Sequence, residues 1–461
     1  MKEANMRFAM RILPAALLGL GSASAVAAGL QLLEQNASGL GNAYAGSAAV
    51  AEDASTVFFN PAGMAYLPQG KKALSVGVTA IKPSVKFSNS GSTPPALQTL
   101  GNNNGGDAGD LAFLPNVYFA LPVTERISFG LGIGAPFGLK TEYDSDWIGR
   151  FQGIKSDVKT LNLNPSLSLK LNDAVALGLG LDYQKLDAEL TSAVNISGAL
   201  CTNPALAALC GTGSLSNLAG TAKVSGDDTA WGYNFGAIFQ VSPNTRIGVS
   251  YRSAIKYHVT GNVSFARPTI VAGGLITPGT AALLNAGVAA ATPDGPAKLD
   301  IKLPDILIVS AYQKLNDRWE MLGDLSWTGW AKIQSLDIFR TSGAVLSSTP
   351  EHWRNTMRVA FGGIYTANDR MKWRFGLAYD QSPVTDQFRT VRLPDNNRTW
   401  ISVGAQYALS KDSNLDWGYT HIFVKDGSIN NNGGNAAAFG LVKGNYSNDV
   451  NMFGMQYSLA F

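Results

Sequence analysis

The chain has 461 residues, and its 36 Lys and Arg against 33 Asp and Glu give a formal charge of +3. This balance leaves no excess of cations to neutralise phosphates, so nucleic acid is not an expected partner. Charged residues make up 15% of the chain, well below the roughly 25% of soluble globular domains. Low charge, 50 glycines and 10% aromatic residues are typical of an outer-membrane β-barrel.

The N-terminus has the three parts of an export signal. A positive end that includes Lys2 precedes a short apolar core, residues 12–20, and a small-residue cleavage site, Ala-Val-Ala, at residues 25–27. We therefore predict a signal peptide over residues 1–27. No later apolar run reaches the roughly 18 residues of a membrane-spanning helix, so none is predicted.

Much of the remaining chain alternates large apolar residues with small or polar ones. The pattern is clear in residues 127–134, 161–170, 175–184, 231–240 and 373–380. A period of two places each set on one face of a β-strand. In a soluble sandwich the large residues would face a core, whereas in a membrane barrel they face lipid.

The connections between these strands favour the barrel, because they alternate between short and long. The short ones are residues 122–125, 171–173, 242–244, 315–317, 367–369 and 410–413. The long ones are residues 90–111, 136–156, 187–227, 264–294, 338–350, 384–393 and 428–446. Short turns on one side and long loops on the other are typical of outer-membrane barrels, and about fourteen strands fit between them.

The end of the chain is consistent with barrel closure, since residues 453–461 alternate strictly and finish at Phe461. The prediction is an all-β fold, a transmembrane antiparallel β-barrel of about fourteen strands over residues 71–461, in the bacterial outer membrane. Tryptophans near strand ends are assigned mostly to the interfacial girdles. They are Trp327, Trp330, Trp353, Trp400 and Trp417. The alternative is that they fill a sandwich core.

Residues 29–66, between the signal and the first strand, are rich in Gly, Ala, Ser and Asn and lack sustained alternation. We predict that residues 28–70 form a plug inside the barrel. Its polar side chains are expected to pair with lumen residues such as Asn162 and Asn164. Each such hydrogen bond contributes only ~1 kcal/mol, so a small movement can rearrange some without unfolding the barrel.

The two cysteines, Cys201 and Cys210, lie in one Gly, Asn and Ala-rich segment. In an oxidising compartment they are expected to form a local disulfide, with free thiols as the alternative. No His or further Cys is near enough in sequence to suggest a metal site. The three histidines are dispersed and no nucleophile elbow or zinc-protease motif occurs, so neither an enzyme nor a cofactor is expected.

Residues 39–46 (GLGNAYAG), residues 51–55 (AEDAS) and the tripeptide Asn60-Pro61-Ala62 resemble the N-terminal signature of the FadL/TodX family. These are outer-membrane transporters of long-chain fatty acids and hydrophobic hydrocarbons. The resemblance covers the mature chain and implies that the N-terminal plug is a hatch that blocks the lumen.

The resemblance also implies an inward kink of the third strand that opens the barrel wall toward lipid. The residues assigned to this gate are Gly134, Pro136, Phe137 and Gly138. Pro cannot donate to the strand ladder, and the flanking glycines permit a bulge. The alternative is that this cluster only begins the next external loop.

A fatty acid needs an apolar trough and a cationic or amide partner for its carboxylate. The head-group candidates are Lys185, Arg340 and Lys332, at lumen-facing or upper strand positions, with Arg252 lower. Lys185 falls where the family pattern puts a basic residue on the fifth strand. Alternatively, these charges are simply satisfied by opposite neighbours.

Two long loops are unusually apolar, residues 199–222 and 270–291. The leucines singled out are Leu200, Leu206, Leu209, Leu283 and Leu284. Exposed apolar surface often marks a binding site, so we predict a groove where a hydrophobic substrate lands. The alternative is that these leucines only pack the loops together. Residues 303–309, apolar on both strand faces, predict either a greasy upper lumen or packing against the plug.

The sequence thus predicts a monomeric transporter for passive, ligand-gated uptake of long-chain fatty acids. Capture between the apolar loops would be followed by transfer to the lumen, plug movement and lateral release near residues 134–137. The expected partners are the hydrophobic substrate and outer-membrane lipid. The alternatives are the same fold importing aromatic or other hydrocarbons, a water-filled general porin, and an outer-membrane lipase.

Overall fold

The computed structural model describes residues 29–461, and the predicted signal peptide lies outside them. The strands are β1 (Ala73–Asn89), β2 (Ala112–Pro122), β3 (Ile127–Gly134), β4 (Gly138–Glu142), β5 (Lys155–Lys170), β6 (Val175–Asn195), β7 (Ala219–Ser242), β8 (Thr245–Arg252), β9 (Ile255–Ala266), β10 (Gly295–Leu303), β11 (Ile306–Lys314), β12 (Trp319–Thr328), β13 (Ser335–Arg340), β14 (Val345–Pro350), β15 (Thr356–Asn368), β16 (Met371–Asp380), β17 (Arg398–Ala408), β18 (Ser413–Val424), β19 (Gly427–Asn431) and β20 (Val442–Ala460).

The helices are short and lie before β1 or between strands. The α-helices are α1 (Ala37–Leu40), α2 (Thr56–Phe59), α3 (Ile196–Leu200), α4 (Ala207–Gly211), α5 (Pro278–Ala291) and α6 (Ala436–Phe439). The 3₁₀ helices are Pro61–Tyr66, Pro204–Leu206 and Trp330–Lys332. None of the helices in the described part of the chain combines the length and the apolar character that crossing a membrane would require.

The strands of residues 29–461 form one antiparallel sheet that closes on itself. β20 pairs with β1 along the whole of β1, from Ala73 opposite Ala460 to Asn89 opposite Gly444. Several wall strands consist of two segments, such as β3 with β4 and β8 with β9, and the described residues form a fourteen-stranded barrel in this way. Closure matters because an unpaired backbone group in lipid costs several kcal/mol.

The alternation places the large apolar residues on the outer face of the barrel, as predicted. Leu177, Leu179 and Leu181 on β6 are 41%, 45% and 50% exposed, whereas Asp182 on the other face is fully buried. Phe375 on β16 is likewise 46% exposed. Such a surface suits hydrocarbon, with the small and polar residues facing the lumen.

The two rims of the barrel differ as the sequence predicted. Tight turns, such as residues 123–126, close one rim, and long loops that carry α3 to α5 lie at the other. β6 and β7 run for 21 and 24 residues, further than predicted. They remain paired from Val175 opposite Phe239 to Asn195 opposite Ala219, well past the roughly ten residues that cross a bilayer.

The girdle prediction is wrong for three of the five tryptophans. Trp330, Trp353 and Trp400 are 0%, 4% and 1% exposed, so they lie inside the protein. Trp330 follows the end of β12 in a 3₁₀ turn, where strand alternation no longer decides which way a side chain faces. Trp417 does belong to the wall and packs edge-on against Trp373, with ring centroids 6.0 Å apart.

Residues 29–70, hereafter the N-terminal segment, lie against the inner face of the barrel. α1 contacts β17, β18 and β20, and the 3₁₀ helix Pro61–Tyr66 contacts β3, β5, β6 and β7. Most of this segment is buried, including the charged Glu34 and the amide Gln35. The interior of the barrel is therefore filled by chain at the level of these strands.

Candidate functional site

The Asn60-Pro61-Ala62 tripeptide anchors the N-terminal segment to the wall. The Asn60 side-chain amide donates to the carbonyl oxygens of Ala237 on β7 and Val249 on β8, at 3.1 and 3.3 Å. Its oxygen accepts from the backbone N–H of Ala62 at 3.1 Å and caps the 3₁₀ helix. A side chain on Gly236 would collide with this amide, since its Cβ would lie 1.8 Å from the Asn60 oxygen.

Other wall glycines also let the segment approach the strand backbone directly. A Cβ on Gly178 would lie 2.2 Å from the nitrogen of Ala62, and one on Gly376 would lie 2.1 Å from the carbonyl carbon of Asn42. Inward positions of the alternation that carry glycine were the sequence signal for these contacts. Alternation by itself predicts these glycines only as small residues that face the lumen.

Ion pairs and amides fix the segment at a second place. Arg374 on β16 is fully buried and pairs with Asp416 on β18 and with Glu52 of the segment, the latter at 2.5 Å. Asp53 accepts from the Gln456 amide of β20 at 3.0 Å. These contacts link residues 52 and 53 of the segment to β16 and β20.

The predicted lumen partners of the segment, Asn162 and Asn164, pair within the wall instead. Asn162 donates to Asp182 at 2.8 Å, and Asn164 donates to the Leu181 carbonyl at 2.8 Å and to Asn234 at 3.1 Å. That part of the prediction is wrong, because the amide N–H groups of both residues donate to neighbouring strands of the wall and not to the segment.

The barrel wall is interrupted beside β3. Residues 117–122 of β2 pair with residues 128–133 of β3, but residues 112–116 pair only with β1 among the described strands. Beyond the break, β4 pairs with β5 alone. This side of the sheet is therefore open between β2 and β4.

A bulge produces the break. Gly134 lies opposite Asn162 and Gly138 lies opposite Lys159, so three residues of one strand face two of the other. Pro136 sits among the three and cannot donate to the ladder. An extra residue of this kind bends its strand away from its neighbour.

The N-terminal segment covers the break from inside. Its Leu32 N–H donates to the Pro136 carbonyl, and the Gly138 N–H donates to the Leu30 carbonyl, both at 2.8 Å. The Gln35 amide donates to the Ala135 carbonyl at 2.8 Å. The edge exposed by the bulge is thus satisfied by the segment.

The three head-group candidates do not come together. Lys185 shares the outer face of β6 with Leu181 and pairs with Asp187 at 2.9 Å. Lys332 pairs with Asp305 at 2.5 Å and lies over the Trp327 ring. The lumen-facing placement of Lys185 is therefore wrong, because strand alternation turns it outward.

The two arginine candidates, Arg340 and Arg252, are also held by neighbours. Arg340 donates to the Pro293 carbonyl at 2.7 Å in the external loops. Arg252 pairs with Asp182 and donates to the Phe58 carbonyl at 2.9 Å, so it fastens the N-terminal segment to β8. These placements match the alternative that such charges are satisfied locally.

The two apolar loops pack against each other, and a disulfide joins Cys201 and Cys210. Leu284 is 6% exposed in this contact, with Leu200, Leu206 and Leu209 packed around it. These leucines therefore pack the two loops together, which was the alternative to a substrate groove. Leu283, by contrast, is 76% exposed and remains available to a ligand.

Apolar side chains continue from these loops down the inner face of β6. Val194 packs with the loops, and Leu190 and Ala188 line a groove with a cavity of about 30 Å³. Leu186 then joins the upper apolar cluster, a buried group inside the upper barrel. Its members include Leu30, Phe137, Leu186, Tyr257, Leu303, Ile306 and Trp330.

The upper apolar cluster reaches the wall break. Its member Phe137 lies in the bulge, and its member Leu30 accepts a hydrogen bond from Gly138 beside it. Leu303 and Ile306 lie in this cluster. The sequence predicts for them either an apolar upper lumen or packing against the plug. Apolar side chains therefore follow one another from the exposed loops to the wall break, next to the N-terminal segment, and this series is hereafter the apolar path.

The sequence profile of the family described as "Outer membrane protein transport protein (OMPP1/FadL/TodX)" matches residues 18–461. The chain belongs to this family. Its members are transporters rather than enzymes, and the protein is accordingly an outer-membrane transport protein with a β-barrel fold.

Several curated relatives and solved structures resemble the chain over most of its length. The "Long-chain fatty acid transport protein" of Salmonella typhi is 32% identical over 411 residues, 89% of this chain and 90% of that protein. The protein of the same name in Escherichia coli K12 is 31% identical over 431 residues, 90% and 92% of the two chains. The crystal structure of a Pseudomonas aeruginosa FadL homologue, 26% identical, superposes with a TM-score of 0.82 over 94% of this chain and 99% of that one.

A more distant structure shares the fold. The Pseudomonas putida toluene transporter TodX is 16% identical and has a TM-score of 0.63 over 88% of this chain and 94% of that one. At this identity the likeness supports the barrel architecture and carries no argument about substrate.

Proposed function

We propose that the protein carries long-chain fatty acids across the outer membrane passively, with lateral release through the wall break. The observation that supports this most is the coincidence of three features at Phe137: the end of the apolar path, the break in the sheet and the contact with the N-terminal segment. The names of the long-chain fatty acid transport proteins of Salmonella typhi and Escherichia coli K12 agree with this substrate class.

Lateral release has a physical reason. A long alkyl chain that left through the periplasmic end would be rehydrated at roughly 0.8 kcal/mol per methylene. Passage from the upper apolar cluster into lipid between β2 and β4 avoids that cost. The substrate would first contact Leu283 and its exposed neighbours on the loops.

In this proposal residues 28–70 act as the hatch. Leu30 and Leu32 hydrogen bond to the backbone on either side of Phe137, so movement of these two residues would break the segment's contacts with the gate residues Gly134, Pro136, Phe137 and Gly138. A substrate that displaces residues 30–32 would expose the opening while the anchor at Asn60 stays in place. Release would then need no metabolic energy, and a monomer in contact with outer-membrane lipid suffices.

A second candidate is the same passage for neutral hydrocarbons. The observation that favours it is that Lys185, Lys332, Arg340 and Arg252 are held by neighbouring groups. A neutral substrate needs no cation. Direct binding measurements with oleate and with toluene on the purified protein separate the two, and preferential binding of toluene would favour the hydrocarbon reading.

A general porin is the remaining alternative and is tested electrically. The proposal predicts that the full-length protein in a planar bilayer shows no sustained conductance, because the N-terminal segment fills the lumen. Stable ohmic channels would contradict the hatch. Proteoliposomes that take up oleate along a gradient without an energy source would support passive transport.

A further inference from the structure

Three lysines on the outer face of the wall have no anionic partner. Lys256 on β9 lies directly opposite Lys302 on β10, and Lys298 lies opposite Thr260 further along the same strand pair. All three lysines are exposed, and none forms an ion pair or a side-chain hydrogen bond within residues 29–461. These three residues are hereafter the basic patch. Like charges directly opposite each other destabilise a strand pair, so an anion bound from outside would stabilise this one.

The neighbouring carboxylates do not neutralise the basic patch. Asp300 lies on the same face and contacts the His258 ring at 2.8 Å. Asp228 accepts a hydrogen bond from the backbone N–H of His258 at 2.7 Å, and Asp227 lies 3.8 Å from Lys185. The basic patch therefore keeps an excess of positive charge.

The basic patch lies at the boundary between lipid and water. Ser253, just before β9, donates to the Tyr233 carbonyl on β7 at 2.8 Å. Lys256 follows in the same direction and lies at the level of Trp231, which is 64% exposed on the outer face. Tryptophan and tyrosine in membrane proteins concentrate at the level of the lipid head groups. The ammonium groups of the patch are therefore within reach of lipid head groups.

The wall on the membrane side of the basic patch is apolar. Phe235 and Leu307 are 50% and 38% exposed and lie opposite Tyr251 on its two sides. The Tyr251 hydroxyl donates to Asp305 at 3.3 Å, which marks the start of the polar region. An alkyl chain that lay on this surface would bring its polar end to the basic patch.

A polar groove of about 330 Å³ lies next to the basic patch, over the outer ends of β5, β6, β7 and β9. Asp187, Asp227 and Asn262 are among the residues that line it, and it is hereafter the outer groove. Thr260 lies opposite Asp227 on one side and opposite Lys298 on the other. The outer groove and the basic patch are therefore contiguous.

These features suit a phosphorylated glycolipid better than a phospholipid. Phosphate oxygens accept hydrogen bonds from lysine ammonium groups, and basic clusters beside a membrane attract anionic lipids. The carboxylates of the outer groove repel a further phosphate, but they accept hydrogen bonds from sugar hydroxyl groups. A phospholipid would occupy the basic patch alone and leave the outer groove unused.

We propose that the basic patch binds a phosphate group of an outer-leaflet glycolipid whose sugars lie in the outer groove. The bound phosphate neutralises the opposed Lys256 and Lys302 and so stabilises the pairing of β9 with β10 outside the membrane. The site lies on the outer face of the wall and not on the apolar path. The inference therefore does not depend on which substrate the protein transports.

Native mass spectrometry of the full-length protein in detergent tests the proposal. The probes are diphosphoryl lipid A, the same lipid A without its phosphates, and dioleoyl phosphatidylglycerol, and the wild type should bind diphosphoryl lipid A most tightly. Joint replacement by Lys256→Gln, Lys298→Gln and Lys302→Gln should weaken that binding about 100-fold, because each lysine beside an anionic surface contributes about fivefold. Arginine at the same three positions keeps the charge and should keep the binding.

A matched control removes the same charge at the rim of the tight turns. It combines Lys71→Gln, Lys72→Gln and Lys411→Gln. Lys71 pairs with the exposed Asp412, and the Lys72 N–H donates to the Phe461 carbonyl at the start of β1. This control should bind diphosphoryl lipid A as the wild type does. Isothermal titration should show that the glutamine variant of the basic patch still binds oleate as the wild type does.

Unchanged binding of diphosphoryl lipid A by the glutamine variant would overturn the proposal. Equal binding of both forms of lipid A by the wild type would also overturn it, because acyl chains alone would then explain the contact. Phosphatidylglycerol bound as tightly as diphosphoryl lipid A would overturn the assignment to a glycolipid. Loss of oleate binding together with lipid A binding would contradict a lipid site separate from the apolar path. A wild type that binds lipid A but not oleate would overturn the proposed function and support this inference.

Discussion

Asn60 and Gly236 touch so closely that the glycine cannot be replaced without moving the asparagine. A Cβ on Gly236 would lie 1.8 Å from the Asn60 side-chain oxygen. The amide of the same side chain donates to the carbonyls of Ala237 and Val249 on the paired strands β7 and β8. The N-terminal segment is therefore docked onto bare strand backbone at this point.

Gly236→Ala should loosen this docking. The added methyl group pushes Asn60 away from the wall, and up to two hydrogen bonds of about 1 kcal/mol each are lost. We expect faster influx of a small hydrophilic antibiotic into cells that carry the variant. Gly323→Ala is the control, since a Cβ there meets no atom within 4 Å. Equal influx in the two variants would argue against a sealing role for the anchor.

Glu52→Gln tests the charged contact of the same segment. Arg374 keeps its partner Asp416, so the wall is left paired while the link to the segment weakens by roughly 1–3 kcal/mol. Amide hydrogen exchange in residues 29–66 should become faster. Asp369→Asn, in the exposed turn between β15 and β16, should have no effect on that segment. Exchange in residues 29–66 that matched the wild type would show that this ion pair does not hold the segment.

Leu283→Asp tests capture on the external loops. The side chain is 76% exposed, so the change should not affect folding, but it removes an apolar contact for the arriving substrate. The oleate concentration that gives half-maximal uptake should rise several-fold, with a smaller change in maximal rate. Val345→Asp, at another exposed position that is 62% exposed, is the control. A similar rise in both variants would mean that the loops have no specific capture site.

The stability of the external region should depend on pH through Glu351. It lies between β14 and β15, outside the membrane strands, and burial raises its pKa to about 8, partly offset by a 2.9 Å hydrogen bond from Trp353. The folded state therefore binds this proton more tightly than the unfolded state, in which the pKa of the carboxyl is near its ordinary value of 4.5. Stability should be greatest below about pH 4.5 and fall, on the order of a few kcal/mol, as the pH rises to about 8.

Glu351→Gln should remove this dependence. Limited trypsin cleavage at the neighbouring Arg354 reports on local opening, and the wild type should be cut faster at pH 8.5 than at pH 7 after correction for the activity of trypsin on a free peptide. The variant should show no such difference. A wild type with the same corrected rate at both pH values would contradict the raised pKa.

The barrel could be predicted from the sequence because its signal is repeated and local. Leu177, Leu179 and Leu181 face outward by alternation alone, and turn and loop lengths fix the order of the strands. The break at Pro136 could also be predicted, because proline and glycine affect the backbone at their own positions in the strand. The ordered motifs of residues 39–62 resemble the N-terminal signature of the family.

The interior positions of Trp330 and Trp400 could not be predicted, since contacts between distant segments determine them. Trp330 leaves the alternation in a 3₁₀ turn, and Trp400 and Arg358 meet only because β15 and β17 flank β16. Their positions near strand ends had assigned Trp330 and Trp400 to the interfacial girdles. Lys185 was misplaced for a related reason: the family pattern supplied a basic position, but the residue's own register turns it to the outer face.

The bulge in the third strand offers the most direct test of lateral release. Deleting Pro136 leaves two residues opposite Thr160 and Leu161, so β3 and β4 can pair continuously with β5 and the strand no longer bends from β2. Oleate binding to the purified variant and oleate uptake by proteoliposomes are measured side by side. Retained binding with uptake abolished is the predicted result. Uptake at the wild-type rate through a barrel whose ladder had been closed would contradict lateral release.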